Sequence, residues 1–229
     1  MLKIENFEVL GWEHAIRGMR NPMNSWEKSD SNFFDDSEGH ICNICQGHGS
    51  MSLIEIGPND YALMKNLRNA GTDHRKFMRM ITVYLDITAP LYWWKEYSTY
   101  KVGTVANSCS TMHKIHAKEF DVNDFSHEHV EELTGDDYNM SYDFLLRTID
   151  ILNYYRKKFL ETNDKKYWWQ MIQLLPTSYN QKRTVMLNYE VLANIYKSRR
   201  HHRLDEWHTL CDWISELPYS ELITGEEYE

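Results

Sequence analysis

The stretch GTDHRKFMRMITVYLDITAPLYWWKEYSTYK, residues 71–101, carries the clearest structural pattern in this sequence. It follows a segment whose apolar residues recur at helical spacing after Pro58, and Gly71 is placed to end that helix. Residues 80–88 alternate in polarity and are rich in β-branched side chains, which predicts a strand that Ala89-Pro90 ends. An aromatic segment then leads to Lys101. A helix, a strand and an aromatic segment in this order predict a domain of the α/β class.

The rest of the chain adds several predicted helices. Ser141 is expected to open the strongest one, because its apolar residues recur at helical spacing: Phe144, Leu145, Ile149, Leu152, Tyr155 and Phe159. Residues 165–175, 187–200 and 204–217 are the other helical segments downstream.

The segments between these helices complete the predicted organisation. Asn59 or Asp60 is expected to cap the helix after Pro58. Residues 21–52 and 117–140 are polar and are expected to be irregular surface segments. Since there is neither an internal repeat nor a Gly/Ser-rich linker, residues 1–229 are expected to form a single domain.

Composition excludes several classes of protein. The chain has 229 residues, of which 42% are hydrophobic, enough for a proper core. Its 34 acidic against 25 basic residues give a net charge of −9, which disfavours binding to a nucleic-acid polymer. No apolar run approaches the ~18–20 residues of a membrane helix, and the first residues lack a signal-peptide pattern. Four cysteines are too few for a disulfide scaffold, so we expect a reduced, cytoplasmic protein with no membrane partner.

One short segment has the residue types of a metal site. His40, Cys42, Cys45 and His48 lie within nine residues of one another. A structural zinc site needs a second pair of ligands at conventional spacing, and the sequence offers none. We therefore expect a loop with ordinary thiols and no metal, with metal binding as the alternative.

Two further clusters allow two interpretations each. The segment Arg199-Arg200-His201-His202-Arg203 either complements a helix dipole or binds an anion such as a phosphate. The clustered aromatic residues either stack a planar ligand or build a subunit interface: Tyr92, Trp93, Trp94, Tyr97, Tyr100, Tyr167, Trp168 and Trp169. Neither a Gly-rich phosphate loop nor a nucleophile elbow is present.

The order of these features resembles the flavin-dependent thymidylate synthases. The first block of resemblance runs from Gly71-Thr-Asp-His74 through the strand 80–88 and Ala89-Pro90 to Thr99-Tyr100-Lys101 and Asn107-Ser-Cys-Ser110-Thr-Met112. The second block comprises Leu175-Pro176, Asn188, Asn194, Arg199 and Leu204-Asp-Glu-Trp207. The two blocks cover roughly half of the chain, in the order and separation of the family.

The sequence also departs from that family at several cationic positions. An Arg-His-Arg signature of the family is Thr99-Tyr100-Lys101 here, and a substrate-binding arginine is Met112. A second family arginine falls near Ile172, and a third is Glu190. Nucleotide and cofactor phosphates both require cations, so these changes concern ligand binding.

The resemblance implies a fold, an activity and a set of site residues. It implies an α/β subunit with a mixed or antiparallel sheet and long helices, working as a homotetramer with FAD bound where subunits meet. NADPH would supply hydride, and methylenetetrahydrofolate would supply one carbon to dUMP, a pyrimidine deoxynucleotide. His74, Lys101, Asn188 and Asn194 would contact the flavin, whereas Ser110 and Arg199 would be catalytic and substrate-binding residues. The alternative is an inactive relative that binds a nucleotide or a protein partner.

Overall fold

The computed structural model describes residues 1–34, 53–131 and 140–225, which contain both helices and strands. The strands in these residues are β1 (Lys3–Leu10), β2 (Asn32–Phe34), β3 (Leu53–Glu55), β4 (Thr82–Pro90), β5 (Val105–Ser108) and β6 (Asn180–Asn188). Four of them form a sheet in the order β1-β4-β6-β5, and β2 pairs with β3 in antiparallel fashion, with Asn32 opposite Glu55. The predicted mixture of helices and strands is confirmed.

The helices in the same residues range from one turn to more than six turns. They are α1 (Trp12–Arg20), α2 (Pro58–Asn69), α3 (Leu91–Tyr97), α4 (Thr111–Lys114), α5 (Glu128–Glu131), α6 (Met140–Thr162), α7 (Lys165–Leu174), α8 (Tyr189–Arg199), α9 (Asp205–Ser215) and α10 (Glu221–Thr224). Short 3₁₀ helices include Arg75–Arg79, directly before β4. Within the described part of the chain, no helix is both long and apolar enough to cross a membrane.

The predicted cap of α2 is wrong. Gly57 is the N-cap residue and Pro58 occupies the first helical position, where its missing N–H costs nothing. The side chain of Asp30 accepts hydrogen bonds from the backbone N–H groups of Asn59 (2.9 Å) and Asp60 (3.1 Å). A carboxylate from a distant segment therefore does what a local capping residue was expected to do.

Asp60 instead belongs to a buried polar cluster. Its Oδ1 accepts a hydrogen bond of 2.6 Å from Arg20 Nε, and both residues are almost inaccessible to solvent. Its Oδ2 accepts from the hydroxyls of Ser29 (2.8 Å) and Ser31 (2.7 Å). Burial raises the pKa of Asp60, but these hydrogen bonds outweigh burial and hold the pKa below its ordinary value. The cluster joins α1 to the start of α2.

The helix 187–200 is shorter than expected, because Leu187 and Asn188 end strand β6 and α8 begins at Tyr189. The backbone N–H of Tyr189 donates to the carbonyl of Ile81, and its hydroxyl donates to the carbonyl of Pro218 at 2.6 Å. Its ring lies edge-on to Trp12, at 5.2 Å between centroids. These contacts of a fully buried tyrosine fix the start of α8.

The chain divides into two compact units. Unit 1 comprises residues 1–3, 87–99 and 107–183, and unit 2 comprises residues 4–86, 100–106 and 184–229. The core of unit 1 is a cluster of buried apolar residues on α6, α7 and the segment before them: Ile115, Phe120, Phe125, Leu145, Ile149, Leu152 and Met171. Phe120 and Phe125 belong to this core. The described part of residues 117–140 therefore contributes buried side chains and is not only the surface segment that was expected. Phe144, expected on the buried face of α6, is 72% exposed.

The aromatic residues of α3 also differ from their expected role. Trp93, Trp94 and Tyr97 are buried in unit 1, and Trp93 stacks on Tyr97 at 5.1 Å between centroids. Rings that pack against one another in this way serve the core. They are therefore neither a platform for a ligand nor an interface, whereas Trp169 on α7 is 44% exposed.

Candidate functional site

The start of α8 is held by Asn188 in unit 2. The side-chain oxygen of Asn188 accepts a hydrogen bond of 3.1 Å from the backbone N–H of Val191, which makes Asn188 the N-cap residue. Gly103 lies against this cap with φ of +72°, and a Cβ there would come within 3.0 Å of Asn188 Nδ2. Both its backbone conformation and the close approach therefore favour glycine at residue 103.

A cluster of charged side chains lies along the first turns of α8. Arg75 Nε is 3.4 Å from Glu190 Oε1, and Arg75 Nη2 donates to Asn194 Oδ1 at 3.2 Å. Arg79 also pairs with the Glu190 carboxylate. We call Arg75, Arg79, Glu190 and Asn194 the α8 cluster. Its two guanidinium groups outnumber its single carboxylate.

Glu190 stays ionised in this cluster. Burial raises the pKa of the carboxyl, but the hydrogen bonds and charges of Arg79 and Arg75 outweigh burial and hold it below the ordinary value. The carboxylate therefore neutralises one positive charge at neutral pH. The resemblance expects an arginine at this position, so the sign of the charge is reversed while the cluster remains cationic.

His74 directly precedes Arg75 and is exposed on unit 2. It lies at one side of a groove of about 780 Å³ whose other walls come from α1, the segment after α1, and α2. The groove is mainly apolar, with Met19, Met23 and Met80 among its lining residues. His74 thus lines an apolar groove and directly precedes Arg75 of the cationic α8 cluster.

The end of α8 carries a second arrangement. Arg199 Nε donates a hydrogen bond of 2.9 Å to the hydroxyl of Tyr100, and the guanidinium lies 4.6 Å from the centroid of the Trp207 ring. Trp207 is fully buried and lies edge-on to Tyr100. Tyr100 and Trp207 fix the orientation of Arg199, so this arginine does more than interact favourably with the dipole of α8. Arg200, the next residue, is exposed and lies over Tyr196 instead.

Ser110 lies in unit 1 and caps α4. Its Oγ accepts a hydrogen bond of 3.0 Å from the backbone N–H of His113. The Met112 side chain is 46% exposed, and its carbonyl accepts from Trp168 Nε1 at 3.0 Å. Ile172 packs against the core of unit 1. Two positions at which the resemblance expects a cation therefore hold apolar side chains.

The structure brings most of the predicted residues into one unit. His74, Lys101, Asn188, Asn194 and Arg199 all lie in unit 2, whereas Ser110 lies in unit 1. Lys101 is exposed, and residues on both sides of it contact α8. Tyr100 contacts the end of the helix, and Gly103 contacts its start.

Sequence reasoning missed the two arginines of the α8 cluster. Their spacing of four residues, directly after His74, was a usable signal, because it places two cations together on one short helical segment. It also missed the orienting role of Tyr100, which nothing in the sequence indicates.

Among residues 1–34, 53–131 and 140–225, no group of three His, Cys, Asp or Glu side chains is arranged to hold a metal ion. The segment with His40, Cys42, Cys45 and His48 lies outside the described residues.

Comparisons with known proteins give similar structures but no similar sequences. No protein-family model matches the chain, and no curated protein matches it. The chain is similar to thymidylate synthase X (ThyX) from Helicobacter pylori, solved with FAD and dUMP, with 15% identity, a TM-score of 0.65 and coverage of 98% of both chains. A second structure of that flavin-dependent enzyme with FAD and dUMP gives 16% identity, a TM-score of 0.63 and coverage of 97% and 98%. The UMP/dUMP methylase PolB from Streptomyces cacaoi, bound with 5-Br dUMP, gives 10% identity, a TM-score of 0.56 and coverage of 98% and 95%.

These similarities establish the fold. The chain has the ThyX-type fold over nearly its whole length, so the fold that the sequence resemblance predicted is confirmed. The same fold serves a flavin-dependent thymidylate synthase and a UMP/dUMP methylase.

Proposed function

We propose that this protein binds FAD and a pyrimidine deoxynucleotide of the dUMP type and transfers a one-carbon unit to the nucleotide. Methylenetetrahydrofolate is the proposed carbon donor and NADPH the proposed reductant, in the cytoplasm. The observation that carries the proposal is the arrangement along α8 in a chain with the ThyX-type fold. Asn188, Asn194 and Arg199 lie on this one helix or cap it, and His74 directly precedes Arg75, which bonds to Asn194. The sequence resemblance assigns His74 and these three residues to ligands.

The residues present fit an anionic cofactor such as FAD. The α8 cluster has a net charge of +1 from two guanidinium groups and one carboxylate, and the Arg79 side chain is 56% exposed. His74 and Lys101 add exposed donors in the same unit. Guanidinium and ammonium groups are the side chains that bind pyrophosphate. When bound, FAD would relay the hydride from NADPH and the one-carbon unit from methylenetetrahydrofolate, and these residues would bind and orient it.

Arg199 and Ser110 are the proposed nucleotide residues. A guanidinium that Tyr100 and Trp207 hold in one orientation loses little conformational freedom when it binds a phosphate. Ser110 offers a hydroxyl that already accepts one hydrogen bond and can donate its own proton. The work of both residues is positioning.

A second candidate is a nucleotide-binding protein without the transfer reaction. Glu190 favours it, because its carboxylate occupies both arginines of the α8 cluster and lowers the charge that a pyrophosphate would meet. Binding of dUMP without uptake of FAD would identify this candidate.

We also propose that the chain forms a homotetramer. Helix α6 exposes large apolar side chains at successive spacings of four, seven and three residues: Met140, Phe144, Ile151 and Tyr154. A stripe with this spacing on a long helix is typical of a helix–helix interface. The tetramer itself is what the family resemblance implies.

The test of the proposed function is FAD uptake by the purified protein. Titration with FAD, followed by absorbance after gel filtration, should give bound flavin in the wild type and strongly reduced flavin in His74→Ala. His14→Ala is the matched control, because His14 is an exposed histidine on α1 in the same unit. A wild type that takes up no FAD would overturn the enzyme proposal. Equal flavin content in His74→Ala and His14→Ala would remove His74 from the cofactor site.

A further inference from the structure

Arg183 in unit 1 is a cation that the proposed site does not use. It lies on β6, with its guanidinium 4.2 Å from the centroid of the Trp94 ring. Its Nε donates to the side-chain oxygen of Gln181 at 3.0 Å, and Trp94 Nε1 donates to the backbone carbonyl of Gln181 at 2.8 Å. Both partners are buried. The guanidinium is therefore held against a rigid surface rather than extended into solvent.

Arg183 is not paired with an acidic side chain in the part of the chain that the structure describes. In residues 1–34, 53–131 and 140–225, no carboxylate forms an ion pair with this side chain. Burial lowers its pKa, and the nearby Tyr97 only partly opposes that effect. Partly buried cations in proteins are usually paired, because a desolvated charge is costly without a counter-charge. A half-buried guanidinium on a tryptophan, with one neutral hydrogen bond, is suited to bind an anion.

The neighbouring backbone brings Ser110 to the same part of unit 1. The backbone N–H of Cys109 donates to the carbonyl of Lys182 at 2.9 Å, and Gln181 Nε2 donates to the carbonyl of Cys109 at 2.7 Å. These two bonds fix the residue before Ser110 against the residues before Arg183. Ser110 is the residue that the proposed function assigns to the nucleotide.

Unit 1 lacks two cations that the family resemblance expects, and Arg183 is placed to compensate for one of them. Met112 and Ile172 stand where the resemblance expects arginines, and Ile172 packs in the core. A nucleotide phosphate carries close to two negative charges at neutral pH and needs charge-assisted hydrogen bonds when it leaves water. Arg183 is a cation in the same unit that can supply them.

We propose that Arg183 binds the phosphate of the nucleotide together with Ser110, in place of the cation lost at Met112. This proposal rests on the proposed nucleotide binding and names a residue of unit 1, in addition to Arg199, for the phosphate monoester. The ring of Trp94 and the side chain of Gln181 orient the guanidinium, so that its two terminal nitrogens can meet two phosphate oxygens.

The test is calorimetric titration of the full chain with dUMP, deoxyuridine and inorganic phosphate. Arg183→Gln should weaken dUMP binding by about 10- to 100-fold, because it removes charge-assisted hydrogen bonds. It should leave deoxyuridine binding unchanged, since that ligand lacks the phosphate. Arg147→Gln removes an exposed arginine of α6 from the same unit and should bind dUMP as the wild type does. Arg183→Lys keeps the charge and should give an intermediate affinity, and circular dichroism should show native folding for every variant.

The outcomes separate this proposal from the proposed function. Wild-type dUMP affinity in Arg183→Gln would overturn the role of Arg183 and leave nucleotide binding intact. If dUMP binds no more tightly than inorganic phosphate, and Arg183→Gln abolishes both, the proposed function fails and Arg183 remains a phosphate site. A wild type that binds neither dUMP nor inorganic phosphate overturns both.

Discussion

Replacing Glu190 with glutamine tests the electrostatic core of the α8 cluster. The carboxylate of Glu190 is paired with Arg75 and Arg79, and its side chain is only 10% exposed. Glutamine has nearly the same shape but no charge. The substitution therefore removes two ion pairs and leaves the guanidinium of Arg75, which is 18% exposed, without its carboxylate partner Glu190.

The expected loss of folding stability can be worked out from the solvent exposure of the two ion pairs. A hydrogen bond to a charged group contributes about 1.5–3 kcal/mol, and the partly buried pair of Arg75 with Glu190 belongs to that class. The Arg79 side chain is 56% exposed, so its pair is screened by solvent and contributes roughly 0.5 kcal/mol. We expect Glu190→Gln to lower the free energy of unfolding by about 2–3 kcal/mol at pH 7.

The pH dependence follows from the lowered pKa of Glu190. Its stabilising contribution is complete above the ordinary glutamate pKa of about 4.3 and is lost as the pH falls through the lower pKa of the folded state. Urea unfolding should therefore show a large difference between wild type and Glu190→Gln at pH 7 and a smaller one in acid. Glu216→Gln is the control, because Glu216 is an exposed glutamate of the same unit. Equal stability of Glu190→Gln and Glu216→Gln at pH 7 would refute the reasoning.

The same substitution also changes the net charge of the cluster from +1 to +2. We expect FAD affinity to rise by about three- to tenfold at low ionic strength, and the gain to shrink as salt screens it. An affinity that falls, or that does not depend on salt, would mean that Glu190 contacts the cofactor as a hydrogen-bond acceptor.

Three other predictions concern separate parts of the chain. Arg199→Ala should weaken dUMP binding by at least tenfold in a titration, whereas Arg200→Ala should change it little; equal effects would indicate a diffuse basic patch. Asp60→Asn should lower the free energy of unfolding by about 3–5 kcal/mol in urea, because it leaves the buried Arg20 guanidinium without its carboxylate, and an unchanged midpoint would contradict that role. Phe144→Asp should reduce the assembled state in light scattering, and a monomeric wild type would defeat the proposed tetramer.

The strands show how far the sequence could predict this fold. Strand β4 was predicted to within two residues, because its alternating β-branched side chains match a half-buried strand. Strand β6 was missed, because polar residues such as Gln181 and Arg183 occupy positions where alternation would place apolar ones. Contacts with residues distant in sequence explain those polar side chains: Arg183 lies over the ring of Trp94, and the amide of Gln181 donates to the carbonyl of Cys109.

The candidate site was predictable residue by residue but not as an arrangement. His74 and Asn194 could be named from the resemblance. The hydrogen bond between Arg75, which follows His74, and Asn194 could not be predicted, because it joins residues more than a hundred positions apart. The sequence shows that Glu190 stands where the resemblance expects an arginine. It does not show that Arg75 and Arg79 pair with this carboxylate. The burial of α3 was also hidden, because an aromatic cluster has the same composition in a core as at an interface.

The most direct test of the proposed function is release of tritium from dUMP labelled at C5. Transfer of a carbon to C5 replaces the hydrogen there, so the label must leave if the reaction occurs. With FAD, NADPH and methylenetetrahydrofolate present, the wild type should release tritium, and omission of FAD should stop the release. A folded protein that binds dUMP but releases no tritium in the complete mixture would contradict the proposed reaction and favour the nucleotide-binding alternative.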